Sequence, residues 1–449
     1  MTGRRRRHRG GTGGVVLTAF ARAFRTPDLR KKILFTLAIL ALFRLGSLLP
    51  TPGISYPAVR ECIAATKDNS LLGLVNMFSG GALLQLSVFA LGIMPYITAS
   101  IIVQLLTVVI PRFEELKKEG QQGTTKLTQY TRYLTIGLAI LQSTTLVSVA
   151  RATPSPLFPG CSADLVPNNS IITVLIMVAT MTAGTGLVMW LGELVTDKGI
   201  GNGMSLLIFT QIAASFPSAL WAIKAAKGWN VFLVVLLVGV VIVAAVVFVE
   251  QSQRRVPVQY AKRMIGRRQY GGTSTYIPIK VNQAGVIPVI FASSLLYLPA
   301  LIAQFQSNKT AGWVVWIERY LVRGDHPLYM LIYFVLIVFF TYFYVAITFD
   351  PTEIADNMKK YGGFIPGIRA GRPTAEYLDY ILTRITLPGA LYLGLISMIP
   401  LVAFALVGAS QSNFPFGGTS ILIIVGVGLE TVKQIESQLQ QRHYEGFLR

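Results

Sequence analysis

Side chains able to perform chemistry are almost missing from the long apolar stretches of this sequence. Arg44 is the one ionisable residue well inside such a stretch, and Glu193, Glu250, Asp350 and Glu430 fall at the ends of others. No HExxH motif, carboxylate pair or nucleophile with a neighbouring base occurs in them. A membrane-embedded protease or a proton-coupled pump requires such groups, so the sequence argues against both. We interpret Arg44 as a packing or snorkelling residue.

Two isoleucines, Ile93 and Ile97, are spaced four residues apart and share one face of a helix. A ring of such aliphatic side chains could form a dewetted constriction, which blocks ions without any charge. Spacing alone favours the simpler interpretation, that both side chains pack against lipid or a neighbouring helix. The constriction is a hypothesis that needs support from elsewhere in the chain.

Residues 70–80 form a short apolar segment that ends near Ser79-Gly80-Gly81. The segment is too short to cross a membrane, which takes about 20 residues. It is typical of a re-entrant half-helix, which is tolerated only where protein or a water-filled cavity surrounds it. An amphipathic helix lying on a surface explains the same pattern, and both interpretations stay open.

Two long polar segments, 251–283 and 350–378, are rich in basic residues. Connections between helices or strands have a median of only about 4–6 residues. Glycine and proline cluster with the charges in both segments, which favours a structured docking surface for a large partner. Nucleic acid, a ribosome, an acidic protein and lipid headgroups all fit this charge. A plain excess of positive charge on one side of a membrane is the simpler alternative.

The composition of the chain indicates which class of protein contains these residues. The chain has 449 residues and a formal net charge of +20, yet only 13% of its residues are charged, against roughly 25% in a soluble domain. Apolar residues make up 53%, and the mean hydropathy is +0.57. A soluble nucleic-acid-binding protein spreads its basic residues over a hydrated surface, and a disordered chain has far fewer apolar residues. The composition therefore predicts an integral membrane protein.

Ten stretches are long and apolar enough to cross a membrane as helices. They are residues 32–49, 82–108, 130–150, 171–191, 203–223, 229–250, 284–305, 328–349, 380–402 and 417–435. Of the 40 Lys and Arg residues, 31 lie on the side of the two termini and 8 in the loops of the other side. Because basic loops stay in the cytoplasm, both termini are predicted to be cytoplasmic. Cys62 and Cys161 then fall in external loops, where they could form a disulfide, and their spacing suggests no metal site.

Short motifs along nearly the whole chain resemble those of the SecY family of protein-export channels. They are Asn76–Ala82, Leu91–Ile97, Lys117–Gly120, Gln129–Tyr133, Met189–Glu193, Gly199–Gly203, Arg254–Arg263, Val281–Pro288, Pro366–Arg369 and Phe416–Ser420. Each motif alone is weak, but together they occur in family order on ten predicted spans of the right orientation. Ala370 departs from the family pattern, which usually has proline there.

The resemblance implies an all-α polytopic membrane protein with ten transmembrane helices in two inverted five-helix halves and a re-entrant plug helix. Residues 32–228 would form the N-terminal half, with the plug at 70–80, and residues 229–435 the C-terminal half. Residues 1–31 and 436–449 would be cytoplasmic tails. The segments 251–283 and 350–378 would be cytoplasmic docking loops.

In this family a pore runs between the two halves, and its waist is a ring of apolar residues. The resemblance places the ring at Ile93, Ile97, Ile208, Ile290 and Ile423, with Met204 at a neighbouring position. The plug beneath the ring would include Asn76, Met77, Phe78 and Ser79. Thr98 and Gln142 would lie in a lateral gate, which opens toward lipid between spans two and three and spans seven and eight.

The resemblance also implies the function. The chain would be the central subunit of a translocation channel that passively conducts unfolded preproteins across the bacterial plasma (inner) membrane and releases membrane-protein segments laterally into it. The SecA motor or the ribosome would drive it, docked on Arg254, Arg255, Lys262, Arg263 and Arg369. Other expected partners are the small membrane subunits SecE and SecG, signal sequences, preproteins and membrane lipids. No enzymatic activity, cofactor or metal is expected.

Two other functional classes remain as alternatives. A secondary transporter also uses inverted repeats and broken helices, but it needs coupling-ion ligands near the midplane, which the charge-free spans do not supply. A membrane-embedded enzyme needs a nucleophile, a metal site or a carboxylate set, and the spans contain none that we recognise.

Overall fold

The structure, a computed structural model, describes residues 26–65, 82, 85–151, 164–168, 170–260, 263–265, 268–270, 274–305, 312–322, 326–407 and 418–445. The helices in these ranges are α1 (Pro27–Leu48), α2 (Tyr56–Ala65), α3 (Met94–Val109), α4 (Pro111–Lys118), α5 (Gln121–Arg151), α6 (Ile171–Lys198), α7 (Gly203–Gln251), α8 (Ile287–Phe305), α9 (Gly312–Ile317), α10 (Pro327–Thr348), α11 (Pro351–Lys360), α12 (Arg372–Val407) and α13 (Gly418–Glu445). A π-helical turn, Glu318–Val322, follows α9. The strands are β1 (Gln253–Tyr260), β2 (Arg263–Ile265), β3 (Arg268–Tyr270), β4 (Ser274–Lys280) and β5 (Gly363–Phe364).

Each of the ten predicted spans overlaps a helix, and predicted spans five and six both lie on α7. Five helices of the described ranges have the length and hydropathy to cross a membrane, or six if the bent pair α3 and α4, which turns by 100°, counts as one span. The chain is therefore a multi-pass membrane protein by this measure, and the number ten stays a prediction.

The long helix α7 is broken at Gly228, where φ is 81° and ψ is −178°. Only glycine adopts this conformation without steric cost. The break falls between predicted spans five and six. Beside it, the ammonium of Lys224 lies 4.0 Å from the ring centroids of both Trp221 and Trp229, so a cation–π clamp holds the two sides of the break together.

The second predicted span, 82–108, is shorter in the structure because α3 begins only at Met94. The residues before it form turns, with positive φ at Leu86 (47°) and Gly92 (55°). Pro95 then stands in the first turn of α3, where its missing amide hydrogen costs no hydrogen bond. The predicted span was too long because the residues of this turn are as free of charge as those of the helix, and hydropathy does not distinguish the two.

The expectation of an all-α chain needs correction, because the polar segments contain a small sheet. β1 pairs antiparallel with β4 and with β5, in the order β4-β1-β5, while β2 and β3 form a separate hairpin. Val256 and Val258 of β1 are buried and their neighbours are exposed, as expected for a strand with one face on a core. They pack against Met358 of α11 and Leu378 of α12.

The described part of the chain has five clusters of buried apolar residues, and three of them show how the two predicted halves are packed. Val59, Leu146 and Met177 represent the first cluster, which joins α2, α5 and α6. The second joins the later part of α7 with α8, α10, α12 and α13. The third contains Phe43 of α1 and Ile423 of α13, so it connects the two predicted halves.

Cys62 is buried in the first cluster and is disulfide-bonded. Cys161, the other cysteine of the sequence, lies outside the described residues.

Large apolar side chains also cover the outer faces of the helices. Leu45, Leu175, Val234, Leu331 and Leu395 are each at least 60% exposed. Apolar patches of this extent are rare on proteins surrounded by water. A bilayer is the solvent in which such faces are stable, since lipid tails are equally apolar.

Candidate functional site

The five isoleucines predicted to form a ring lie around one small cavity, and their helices are α3, α7, α8 and α13. The cavity measures about 10 Å³ and is lined by Ile93, Met94, Ile97, Ile208, Gln211, Ile290, Ser293 and Ile423. Ile93 and Ile423 are almost fully buried, at 1% and 2% exposure. Four helices from both predicted halves thus meet at a constriction with room for about one water molecule.

Local sequence determines where these helices deliver their isoleucines. Pro95 fixes the start of α3, so that Ile93 is its N-cap residue and Ile97 stands in its first turn. Asn202 starts α7, because its Oδ1 accepts hydrogen bonds from the backbone N–H groups of Met204 and Ser205 at 3.1 and 3.4 Å. Met204 packs against the ring cluster without lining the cavity, as a neighbouring position would.

Two polar residues of the cavity, Gln211 and Ser293, were not among the residues selected from the sequence. Ser293 Oγ donates to the carbonyl oxygen of Ile290 at 2.9 Å. Gln211 is fully buried, and within the described part of the chain its amide oxygen and nitrogen have no hydrogen-bond partner. The sequence signal that could have identified Gln211 is its position, three residues after Ile208 in a stretch without charged residues.

The two residues assigned to the lateral gate lie on neighbouring helices that pack together. Thr98 is on α3 and Gln142 on α5, and both side chains are half-buried. Thr98 Oγ1 donates to the carbonyl oxygen of Met94 at 3.0 Å, within its own helix. Their place in a gate stays a prediction.

The predicted plug, residues 70–80 with Asn76, Met77, Phe78 and Ser79, lies outside the described residues. The chain is described again at Ala82, which is buried, and from residue 85 onward. The turn of residues 85–93 leads directly to Ile93 of the ring. The plug therefore stays a prediction from the resemblance.

The predicted docking residues of the first loop begin on β1, the central strand of the sheet. Arg254 and Arg255 lie on β1 and are exposed. The guanidinium of Arg255 stacks over the ring of Tyr276 on β4, 4.7 Å from its centroid, which orients the side chain at little cost in entropy. Arg263 lies on β2, and Lys262 lies outside the described residues.

Arg369 of the second loop is exposed on a turn that the structure ties to the first loop. β5 pairs with the end of β1 through Gln259↔Phe364 and Tyr260↔Gly363. The turn closes by a hydrogen bond from Ile368 N to the carbonyl oxygen of Ile365 at 3.0 Å. The sheet therefore makes the two predicted docking loops one unit.

One contact bridges the two predicted halves close to α3 and α5. Lys117 of α4 donates from Nζ to the carbonyl oxygen of Ile347 at 3.3 Å. Ile347 is in the last turn of α10, where carbonyl groups have no partner within the helix. Lys117 therefore acts as a C-terminal cap supplied by the opposite half.

Three of the acidic residues at span ends, Glu193, Glu250 and Asp350, have structural partners. Arg132 of α5 donates from Nε and Nη2 to the two carboxylate oxygens of Glu193 of α6 at 2.9 and 2.8 Å, a bidentate pair. Glu250 accepts from Asn282 Nδ2 at 2.6 Å. Asp350 caps α11, accepting from the backbone N–H groups of residues 352 and 353 at 2.8 and 3.3 Å. Helix ends and helix pairs account for these carboxylates.

Comparison with known proteins relates this arrangement to one family. A sequence model described as SecY matches residues 87–432. The chain is 70% identical to the protein translocase subunit SecY of Streptomyces galbus over 441 residues, 97% of this chain and 100% of the relative. It is 58% identical to the protein of the same name from Mycobacterium tuberculosis over 443 residues, again 97% and 100%.

Solved structures with the same fold are more distant in sequence. One described as "The structure of a protein conducting channel" has a TM-score of 0.60 and 17% identity, covering 90% of this chain and 91% of that one. Sec61 in the canine ribosome-channel complex has a TM-score of 0.57, 17% identity and the same coverage. The resemblance inferred from the motifs is confirmed, and the chain belongs to the SecY family.

Proposed function

We propose that this chain is the channel-forming subunit of a protein translocase, which conducts unfolded polypeptides passively across the bacterial plasma membrane. The observation that carries the proposal is the convergence of Ile93, Ile97, Ile208, Ile290 and Ile423 on one narrow cavity in a member of the SecY family. The ring residues come from both predicted halves. Separation of the halves therefore widens the ring, and their approach closes it.

The chemistry of the ring suits a substrate whose side chains vary. A charged constriction would bind oppositely charged segments tightly and repel others. Aliphatic side chains make only weak, non-directional contacts, so they close around any segment and hold none. A cavity of about 10 Å³ between isoleucines also excludes the hydrated ions that a membrane must retain.

The proposal includes the topology inferred from the sequence. Ten spans in two inverted halves place both termini in the cytoplasm, and residues 70–80 form a plug below the ring. The family is one of channels rather than enzymes, so force comes from outside the chain. The resting channel is closed twice, by the plug and by the ring.

A lateral gate completes the proposal, since an apolar signal sequence must leave the pore sideways to reach lipid. Thr98 and Gln142 lie on the helices that bound one side of this gate. The bond from Lys117 to Ile347 supports a closed seam at its cytoplasmic end. Opening the gate requires that this bond break.

The docking surface consists of exposed arginines on the two loops joined by the sheet. Arg254, Arg255 and Arg369 present guanidinium groups, which bind phosphates and carboxylates with bidentate geometry, and the sequence of the first loop adds the basic residues Lys262 and Arg263. A ribosome or the SecA motor is the partner of this surface. Structural neighbours described as ribosome complexes support the ribosome as a partner, and SecE and SecG are the expected membrane subunits.

The experiment that tests the function is reconstitution of the purified chain with its co-purifying small subunits in vesicles. With SecA, ATP and a preprotein, we expect protease-protected substrate to accumulate inside the vesicles. Vesicles without this chain and reactions without ATP are the controls. Accumulation of a small solute coupled to an ion gradient, with no protein transport, would instead favour the transporter alternative.

A further inference from the structure

Gln211 is a polar side chain inside the most apolar part of the molecule. It is fully buried, and among the described residues neither its Oε1 nor its Nε2 has a hydrogen-bond partner. It follows Ile208 by three residues on α7 and lines the same cavity as the ring isoleucines. A buried amide without a partner lowers stability, so packing does not explain why an amide stands here.

The neighbouring turn is shaped around this amide. Gly92 has a φ of 55°, and a Cβ atom on that residue would stand 2.7 Å from Gln211 Nε2. Ser293, the second polar residue of the cavity, already donates its hydroxyl hydrogen to Ile290. The amide thus rests against the Gly92 turn at one side of the ring, with its donors and its acceptor available to a molecule in the cavity.

A translocating polypeptide carries groups that match this amide. A primary amide offers N–H donors and a carbonyl acceptor, and every residue of a main chain except proline offers the complementary pair. An apolar ring strips water from the peptide group that passes it, which is costly unless a partner replaces the water. We propose that Gln211 provides this partner to the main chain of the translocating polypeptide, an inference that rests on the proposed channel function.

The neutrality of the amide matters for this role. A charged side chain at the same position would bind some substrate side chains and repel others. The amide pairs with a group common to all substrates, so the ring gains one hydrogen-bonding position without gaining sequence preference. The expected ligand class is an extended polypeptide main chain, independent of its side chains.

The first test compares apolar replacements with a matched control. Gln211→Met keeps the length and removes both polar atoms, and Gln211→Leu is a second apolar replacement that must give the same result. Thr210→Val is the matched control, because it removes a polar atom from the adjacent position of α7, where the hydroxyl donates to the carbonyl oxygen of Leu206 within its own helix and does not line the cavity. In vesicles containing the complete translocase, we expect both Gln211 variants to slow transport about two- to tenfold, the equivalent of one net hydrogen bond. Thr210→Val should transport at the wild-type rate, and the resting ion leak should stay low in all three variants.

The second test uses a substrate that lacks the complementary donor. A preprotein with a proline-rich segment has few main-chain N–H groups there, so the difference between wild type and Gln211→Met should shrink while that segment crosses. A role limited to packing against Gly92 predicts equal slowing for both substrates, and that result overturns the inference. Wild-type transport rates in both Gln211 variants, or a raised leak, overturn it too. If the wild-type chain itself transports nothing, the proposed function is what fails.

Discussion

Two isoleucines of α7 allow the sealing of the ring to be tested separately from the packing of the helix. Ile208 lines the ring cavity, whereas Ile212, four residues later, packs in the same buried cluster without lining it. Replacing either by alanine removes three carbon atoms, worth about 2.4 kcal/mol at about 0.8 kcal/mol per buried methylene. At position 208 this loss falls on the closed ring, so the ratio of open to closed channels should rise about 50-fold, since each 1.4 kcal/mol is about tenfold. The enlarged cavity also exceeds the roughly 10–15 Å³ that one water needs, which allows the ring to wet.

The assay is ion flux through vesicles that contain one variant at a time. Because a plug would mask an open ring, each variant is measured both in the full chain and in a chain lacking residues 71–79. We expect Ile208→Ala to leak more than its parent in the chain lacking residues 71–79, whereas in the full chain the plug should hide most of this increase. Ile212→Ala should leak no more than its parent, although it unfolds earlier in detergent, because truncating a buried isoleucine costs about 2–5 kcal/mol. Equal leak from the two variants, or none from Ile208→Ala without the plug, would refute a ring formed by these cavity residues.

Three further predictions concern the plug, the docking surface and the cation–π contact at the break of α7. Deleting residues 71–79 alone should make vesicles leak ions, and unchanged conductance would remove the plug from the proposal. Arg369→Glu should abolish motor-driven export while the protein remains folded and inserted, and normal export by that variant would contradict the docking surface. Lys224→Gln removes the cation between two tryptophan rings at the break of α7, which should cost about 0.5–1 kcal/mol. A lower midpoint of thermal unfolding in detergent measures this loss, and an unchanged midpoint would show that the clamp does not stabilise the break.

Hydropathy predicted the helices well, because covering the hydrocarbon core requires long apolar runs. It failed at residues 85–93, which are apolar but form a turn. Their composition is the same as that of the helix that follows, so hydropathy could not distinguish the two. The sheet was also missed, although Val256 and Val258 alternate with polar residues as strands do. Two short strands far apart in sequence, β1 and β5, pair only through tertiary contacts that no local pattern records.

The ring shows a different limit of sequence reasoning. Isoleucine is common in this chain, and spacing placed Ile93 and Ile97 on one face without saying what that face meets. The resemblance selected the five positions, and the structure brings them to one cavity. Gln211 escaped both approaches, because a lone glutamine in an apolar helix is unremarkable until the structure shows that its amide is buried without a partner.

The short pairing of β5 with β1 has a mechanical consequence. β1 and β4 connect α7 to α8, while β5 lies between α11 and α12, and the buried residues beneath the sheet reach the end of α10 through Val345. A force applied to either loop is therefore shared by both, and it reaches the membrane as a torque on several helices at once. We therefore expect a load placed on either loop to move α7, α8, α11 and α12 together, because the sheet joins the segments that connect these helices.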